Sequence, residues 1–111
     1  MPRFQVPGWF AGKADFAPHV PDLTSAGFPL LGGRLDYIRG HTTATLVYGR
    51  RRHTVNVFIW PASAADAGSV SRHYNGYSLL HWVDGAMSYW AVTDAAAADL
   101  EELRKAFDSG V

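Results

Sequence analysis

A chain of 111 residues that is 48% apolar is long enough for one packed core, too short for two, and too apolar to remain disordered. Ten Lys and Arg balance ten Asp and Glu, so no net field draws in nucleic acid or an anionic membrane surface. The absence of cysteine excludes disulfides and thiolate metal sites, and 11 Gly with 6 Pro demand many turns and argue against a helical bundle.

The segment Met1 to Trp9 lacks the basic region and apolar run of a signal peptide, and no run of about 18 apolar residues is present to span a membrane. Residues 1–33 contain Pro2, Pro7, Pro18, Pro21 and Pro29 among several glycines, which predicts a largely irregular arm. Within it, Asp22 to Ala26 is read as one helical turn stopped by Gly27. Leu35 and Tyr37 alternate with Arg34 and Asp36, a strand ended by Arg39-Gly40, and a second strand follows from Thr43 to Tyr48. After a turn over Gly49 to Arg52 comes His53 to Pro61. Here Val55, Val57 and Ile59 alternate with Asn56, Phe58 and Trp60, so both faces are apolar and the strand is interior. Pro61 has no N–H to donate, so pairing stops near Trp60. Residues 34–61 therefore form an antiparallel meander, and residues 62–75, small and polar, read as a loop.

Residues 76–93 read as a hairpin with Asp84-Gly85 at its tip, a pair suited to positive φ. With that loop Val83 faces Ala86, Trp82 opposes Met87, and Leu80 opposes Tyr89 on one side, while Leu79 opposes Trp90 on the other. Residues 94–108 form a helix with Ala96, Leu100, Leu103 and Phe107 on one stripe, capped by Thr93 or Asp94, with Glu101 one turn before Lys105. The expected architecture is α+β: one domain, an antiparallel sheet of about five strands with a single C-terminal helix on one face.

One helix hides only one face, yet Phe58, Trp60, Leu80, Trp82, Met87 and Tyr89 are expected on the face it does not reach. The favoured cover is the N-terminal arm with Trp9, Phe10 and Phe16; a partner, or a second copy in a homodimer, is the alternative. The candidate partner or ligand surface is Asn56, Phe58, Trp60, Trp82 and Tyr89, with Asn56 as its polar anchor or as a hydrogen-bonded clamp for the arm.

No residue suggests chemistry more strongly than structure. His19, His41, His53, His73 and His81 lack metal-ligand spacing, no Gly-x-Ser-x-Gly elbow occurs, and Asp36 and Asp84 suit a strand and a turn. Arg50-Arg51-Arg52 is expected to be solvated at a hairpin tip. No catalytic residue, cofactor or metal ligand is assigned.

Four segments, Trp9 to Phe16, Gly27 to Tyr37, His53 to Pro61 and Gly85 to Asp94, together resemble the extracytoplasmic domain of proteobacterial membrane-spanning anti-sigma factors. The resemblance covers nearly the whole chain, but the shared motifs are strands, turns and aromatics. It implies a periplasmic sensor or interaction module on the inner membrane. A protein partner or extracytoplasmic signal is then the input, and the sigma factor and the membrane are reached only through a cytoplasmic segment and a transmembrane helix outside this sequence. The zinc signature of many such cytoplasmic segments requires cysteine, which this chain lacks. The competing expectation is a small α+β ligand binder or a cofactor-independent monooxygenase-like enzyme, a fold that needs a second helix.

Overall fold

Side chains of a strand point alternately to its two sides, so Val55, Val57 and Ile59 go to one face and Asn56, Phe58 and Trp60 to the other. In the computed structural model, which describes residues 20–38, 40–63 and 70–109, the first set is fully buried and the second half-buried. Among the described residues six strands form one sheet: β1 (Leu30–Ile38), β2 (His41–Arg50), β3 (His53–Pro61), β4 (Val70–Tyr74), β5 (Tyr77–Asp84) and β6 (Met87–Thr93). One helix, α1 (Ala97–Ser109), packs on it, giving the expected α+β fold. The spatial order is β1-β2-β3-β6-β5-β4, antiparallel throughout. Two three-stranded meanders thus meet at the β3–β6 pairing, which places the most apolar strands at the centre.

The sheet has six strands rather than the expected five, because β4 lies in the segment read as a loop. β4 is a mostly exposed edge strand, so the sequence Val-Ser-Arg-His-Tyr needs little apolar pattern. Its signal was the turn after it. Asn75 and Gly76 have φ of 49° and 82°, the two positive values of a type I′ hairpin. β1 likewise begins inside the predicted irregular arm, with a register irregularity between Leu30 and Gly32.

The β5–β6 hairpin forms with a different tip. Asp84 pairs with Met87, leaving Gly85-Ala86 as the turn, and only Gly85 has positive φ, at 61°. That is the pattern of a type II′ turn, which requires glycine at its first central position. The register moves by two residues, so Trp82 opposes Tyr89 and Leu80 opposes Ala91. A shift of two preserves which side each residue faces.

The helix buries Leu100, Leu103 and Phe107. Phe107 meets Trp82 edge-on at 5.9 Å and Tyr89 at 5.8 Å, while Trp82 and Tyr89 stack at 5.2 Å. Ahead of the helix, Thr93 Oγ1 accepts from the Ala95 N–H and donates to the Thr54 carbonyl, tying the connection to β3. The predicted turn at Asp22 to Ala26 is present as a 3₁₀ turn, Thr24–Ala26. Asp22 Oδ1 accepts from the Thr24 N–H, and Gly27 closes the turn at φ 92°. This places Leu23 and Phe28 in the core.

Arg50 is a correction to the sequence expectation. It is not solvated at a tip but buried at the end of β2, and the turn consists of Arg51-Arg52 alone. Strand alternation sends Arg50 to the same side as Tyr48, toward the helix. There Arg50 Nε donates to Asp99 Oδ1 at 3.0 Å and Nη2 donates to Glu102 Oε1. Nη1 donates to the Ala26 carbonyl at 3.4 Å, and the guanidinium lies 4.4 Å from the Phe28 ring centre. Burial acts against its charge, but the hydrogen bonds to the two carboxylates outweigh that and raise its pKa.

Candidate functional site on the second sheet face

The face away from α1 is built by register. One row across β2, β3, β6 and β5 is Thr45, Phe58, Trp90 and His81. Beside it runs Val47, Asn56, Val92 and Leu79, and on the other side Trp60, Ser88 and Val83. Asn56, Phe58 and Trp60 therefore do share a surface. Trp82 and Tyr89 do not belong to it: they lie under the helix, almost fully buried. The expected five-residue surface is divided because β3 pairs Phe58 with Trp90, which sets Phe58 on the side of His81 and opposite to Trp82.

Trp90 is the aromatic that sequence reasoning left out of the surface. His81 stacks on it at 4.8 Å with 27° between the rings, and His81 Nε2 is 2.8 Å from Ser88 Oγ. The separation is that of a nucleophile and base, but Ser88 is fully buried and its hydroxyl has no open approach. The bond satisfies two buried polar groups on neighbouring strands. The one cue in the sequence was that Ser88 and His81 fall on the same side of the hairpin as Trp90.

At the β1 side, Thr45 Oγ1 donates to Asp36 Oδ2 at 2.6 Å and Arg34 Nε donates to the same oxygen at 3.1 Å, consistent with a structural role for Asp36. Asn56 is half-buried between Val47 and Val92, and among the described residues nothing hydrogen-bonds its amide side chain. The expected clamp is with the N-terminal arm, of which residues 1–19 lie outside the described residues. The predicted cover of Trp9, Phe10 and Phe16 lies outside the described residues.

Exposure on this face is uneven. Thr43, Thr45 and Ser88 are 0% exposed, whereas the paired Tyr74 and Tyr77 at the β4–β5 end are 71% and 49% exposed. The face thus has a closed part around Thr43, Thr45, Ser88 and His81 and an open part at the Tyr74–Tyr77 end. On the helix side, burial raises the Tyr89 pKa, with the Asp84 charge adding to it. Burial likewise raises that of Tyr48, helped by Asp22 and Tyr89, and its hydroxyl donates to the Pro21 carbonyl at 3.0 Å. His53 Nδ1 is 2.9 Å from Asp94 Oδ1 in an exposed pair, and His73 Nδ1 is 3.2 Å from Ser78 Oγ. Among the described residues, no three His, Asp or Glu side chains gather to hold a metal ion, and no helix is long and apolar enough to cross a membrane. No protein-family model, curated protein or solved structure matches the chain.

Proposed function

We propose that this chain is a non-enzymatic interaction domain, the extracytoplasmic sensing part of a membrane-spanning anti-sigma factor, which governs sigma-factor release through segments outside this sequence. The observation that carries the interaction reading is the open part of the second face. There the half-buried Asn56 amide sits among Val47, Val92 and Leu79, and the exposed Tyr77 and Tyr74 stand at the end of the same surface. An apolar patch with aromatic anchors and one polar group is the composition of a protein-docking surface, and neutral net charge leaves shape and burial to supply the affinity. The position of Asn56 on an open face, rather than inside the packed side, favours docking over a closed ligand pocket. The anti-sigma assignment is supported by the four-segment resemblance.

The test compares the full-length protein with a version lacking residues 20–107 for sigma-dependent transcription, with and without inducing stress. Loss of the stress response, together with failure of the isolated domain to capture the sigma factor, is the expected result. Capture of the sigma factor by this domain, or an intact response after the deletion, overturns the proposal.

A further inference from the structure

Among the described residues β1 and β4 are the strands with a neighbour on one side only. Such an edge offers a row of unpaired N–H and C=O groups, and a monomer blunts it with a short strand, a proline, a bulge or charges that repel a second strand. β4 is five residues long and carries Arg72 and His73. β1 is nine residues long, and after the irregularity between Leu30 and Gly32 it pairs with β2 without interruption over residues 32–38. That stretch holds no proline, and its two charges, Arg34 and Asp36, are opposite in sign and share the side of Thr45 and Thr43. Arg34 Nε donates to the Asp36 carboxylate at 3.1 Å and Thr45 Oγ1 donates to the same oxygen, while nothing among the described residues accepts from the Nη atoms of Arg34.

We propose that β1 pairs antiparallel with β1 of a second copy, about a two-fold axis at Leu35, so that two sheets continue into one. Residues that face each other across antiparallel strands lie on the same side of the sheet, so the axis has to pass at a residue rather than between two. With the axis at Leu35, Arg34 of each copy faces Asp36 of the other, and the uninterrupted stretch 32–38 overlaps its counterpart from end to end. Moving the axis to Arg34 or to Asp36 sets like charges face to face, which destabilises a strand pair. On the other side of the sheet, Tyr37 of each copy falls on Gly33 of the other, where the missing side chain leaves the backbone open to a ring. The partner is a second copy because the register that suits the length of the strand is also the one in which its own charges, and its own tyrosine and glycine, complement each other. Such a dimer leaves Tyr74 and Tyr77 free at the opposite edge of the sheet.

The test is analytical ultracentrifugation of the full chain and of two single variants, Arg34→Asp and Asp36→Arg, with the near-ultraviolet dichroism of the stacked Trp82 and Tyr89 reporting folding. The wild-type chain should dimerise. Each variant alone sets like charges face to face across the axis, so its dimer dissociation constant should rise about tenfold or more. Mixed, the two variants should associate with each other about as tightly as the wild type does with itself, because every facing pair is then opposite in charge. Amide exchange at residues 33–37 should slow as the wild-type concentration is raised, while that of β4 stays constant. Tyr37→Ala leaves both charges in place and removes a ring that is 76% exposed, so it should weaken the dimer several-fold with little effect on the monomer. A wild-type chain that is monomeric at millimolar concentration overturns the proposal and leaves the edge to a segment of another protein. A dimer that protects other amides, or whose affinity is unchanged by Tyr37→Ala, overturns it in favour of a different interface, and so does the failure of the two folded charge variants to associate when mixed.

Discussion

Arg50 and Asp99, 49 residues apart in the chain, meet at 3.0 Å and join the end of β2 to the first turn of α1. Both side chains are nearly buried, and Asp99 also lies near the positive end of the helix dipole. The same guanidinium holds the Ala26 carbonyl, so one side chain ties the N-terminal turn, the sheet and the helix together.

Arg50→Met should therefore destabilise the fold by about 3 kcal/mol, the low end for a broken buried pair, because Asp99 is left charged and buried. Arg51, whose Nη1 stands 3.5 Å from Asp99, restrains the loss. Adding Asp99→Leu should recover most of the stability, since the uncompensated charge is then gone. Urea unfolding of the two single variants and the double variant checks this; a double variant as weak as the sum of the singles contradicts it.

Phe107 closes the core against Trp82, Tyr89 and Tyr48 at ring separations of 5.8 to 5.9 Å. Phe107→Ala should cost about 3–5 kcal/mol, through lost burial and the cavity left among three rings. Phe107→Leu should cost clearly less, as it keeps most of the volume. Thermal unfolding of both variants measures the difference.

Two glycines with positive φ separate strain from contact. At Gly85 (φ 61°) an added Cβ meets nothing, so Gly85→Ala should cost about 1 kcal/mol from the left-handed backbone alone. At Gly27 (φ 92°) the Cβ would stand 2.5 Å from Nη1 of Arg50, which its carboxylate partners hold in place. Gly27→Ala should cost more than Gly85→Ala and should weaken the coupling between Arg50 and Asp99 in a double-mutant cycle. Equal losses at the two positions would show that Arg50 moves aside freely.

The buried phenols give the fold an alkaline limit. The Tyr48 and Tyr89 pKa values are raised above the unfolded value of 10.0, so the neutral form is favoured when folded. Stability is complete below that pH and falls as pH rises above it, at about 1.4 kcal/mol per pH unit for each fully shifted group. Tyr48→Phe should be weaker at neutral pH by about 1–2 kcal/mol, because the Pro21 carbonyl loses its donor. Its stability should then decline less steeply above pH 10, which chemical denaturation at stepped alkaline pH measures directly.

Tyr74→Ser with Tyr77→Ser removes the exposed aromatic pair at the open end of the second face. Being exposed, the pair should contribute no more than about 0.5 kcal/mol per residue to stability. The stress-dependent transcription response should nonetheless be lost in the full-length protein. A normal response in a variant of unchanged stability would place the docking surface elsewhere.

Much of this molecule is local, and local features are legible in the chain. Alternation along His53 to Pro61 determines that Val55, Val57 and Ile59 share one side, helical spacing determines the stripe of Leu100, Leu103 and Phe107, and Gly27 and Gly85 mark turns because they take φ that other residues resist. Even the two-residue error in the β5–β6 register left the grouping of residues by side within that hairpin intact, because the pleat repeats every two residues, although the side that meets the helix was the other one. Asn75-Gly76 carried a legible signal for β4, hidden only by the polarity that an exposed edge strand permits.

Tertiary structure decided how separate strands are phased. Alternation groups residues within a strand but does not relate one strand to another far along the chain, and the β3–β6 pairing alone sets Phe58 and Trp60 with Trp90 and sends Trp82 and Tyr89 beneath the helix. It also turned Arg50 from a surface charge into a buried connection, since its partners come from the helix and the N-terminal turn. Pairing of distant strands and burial of a charge depend on where the whole chain closes its loops, a property that no short window of sequence contains.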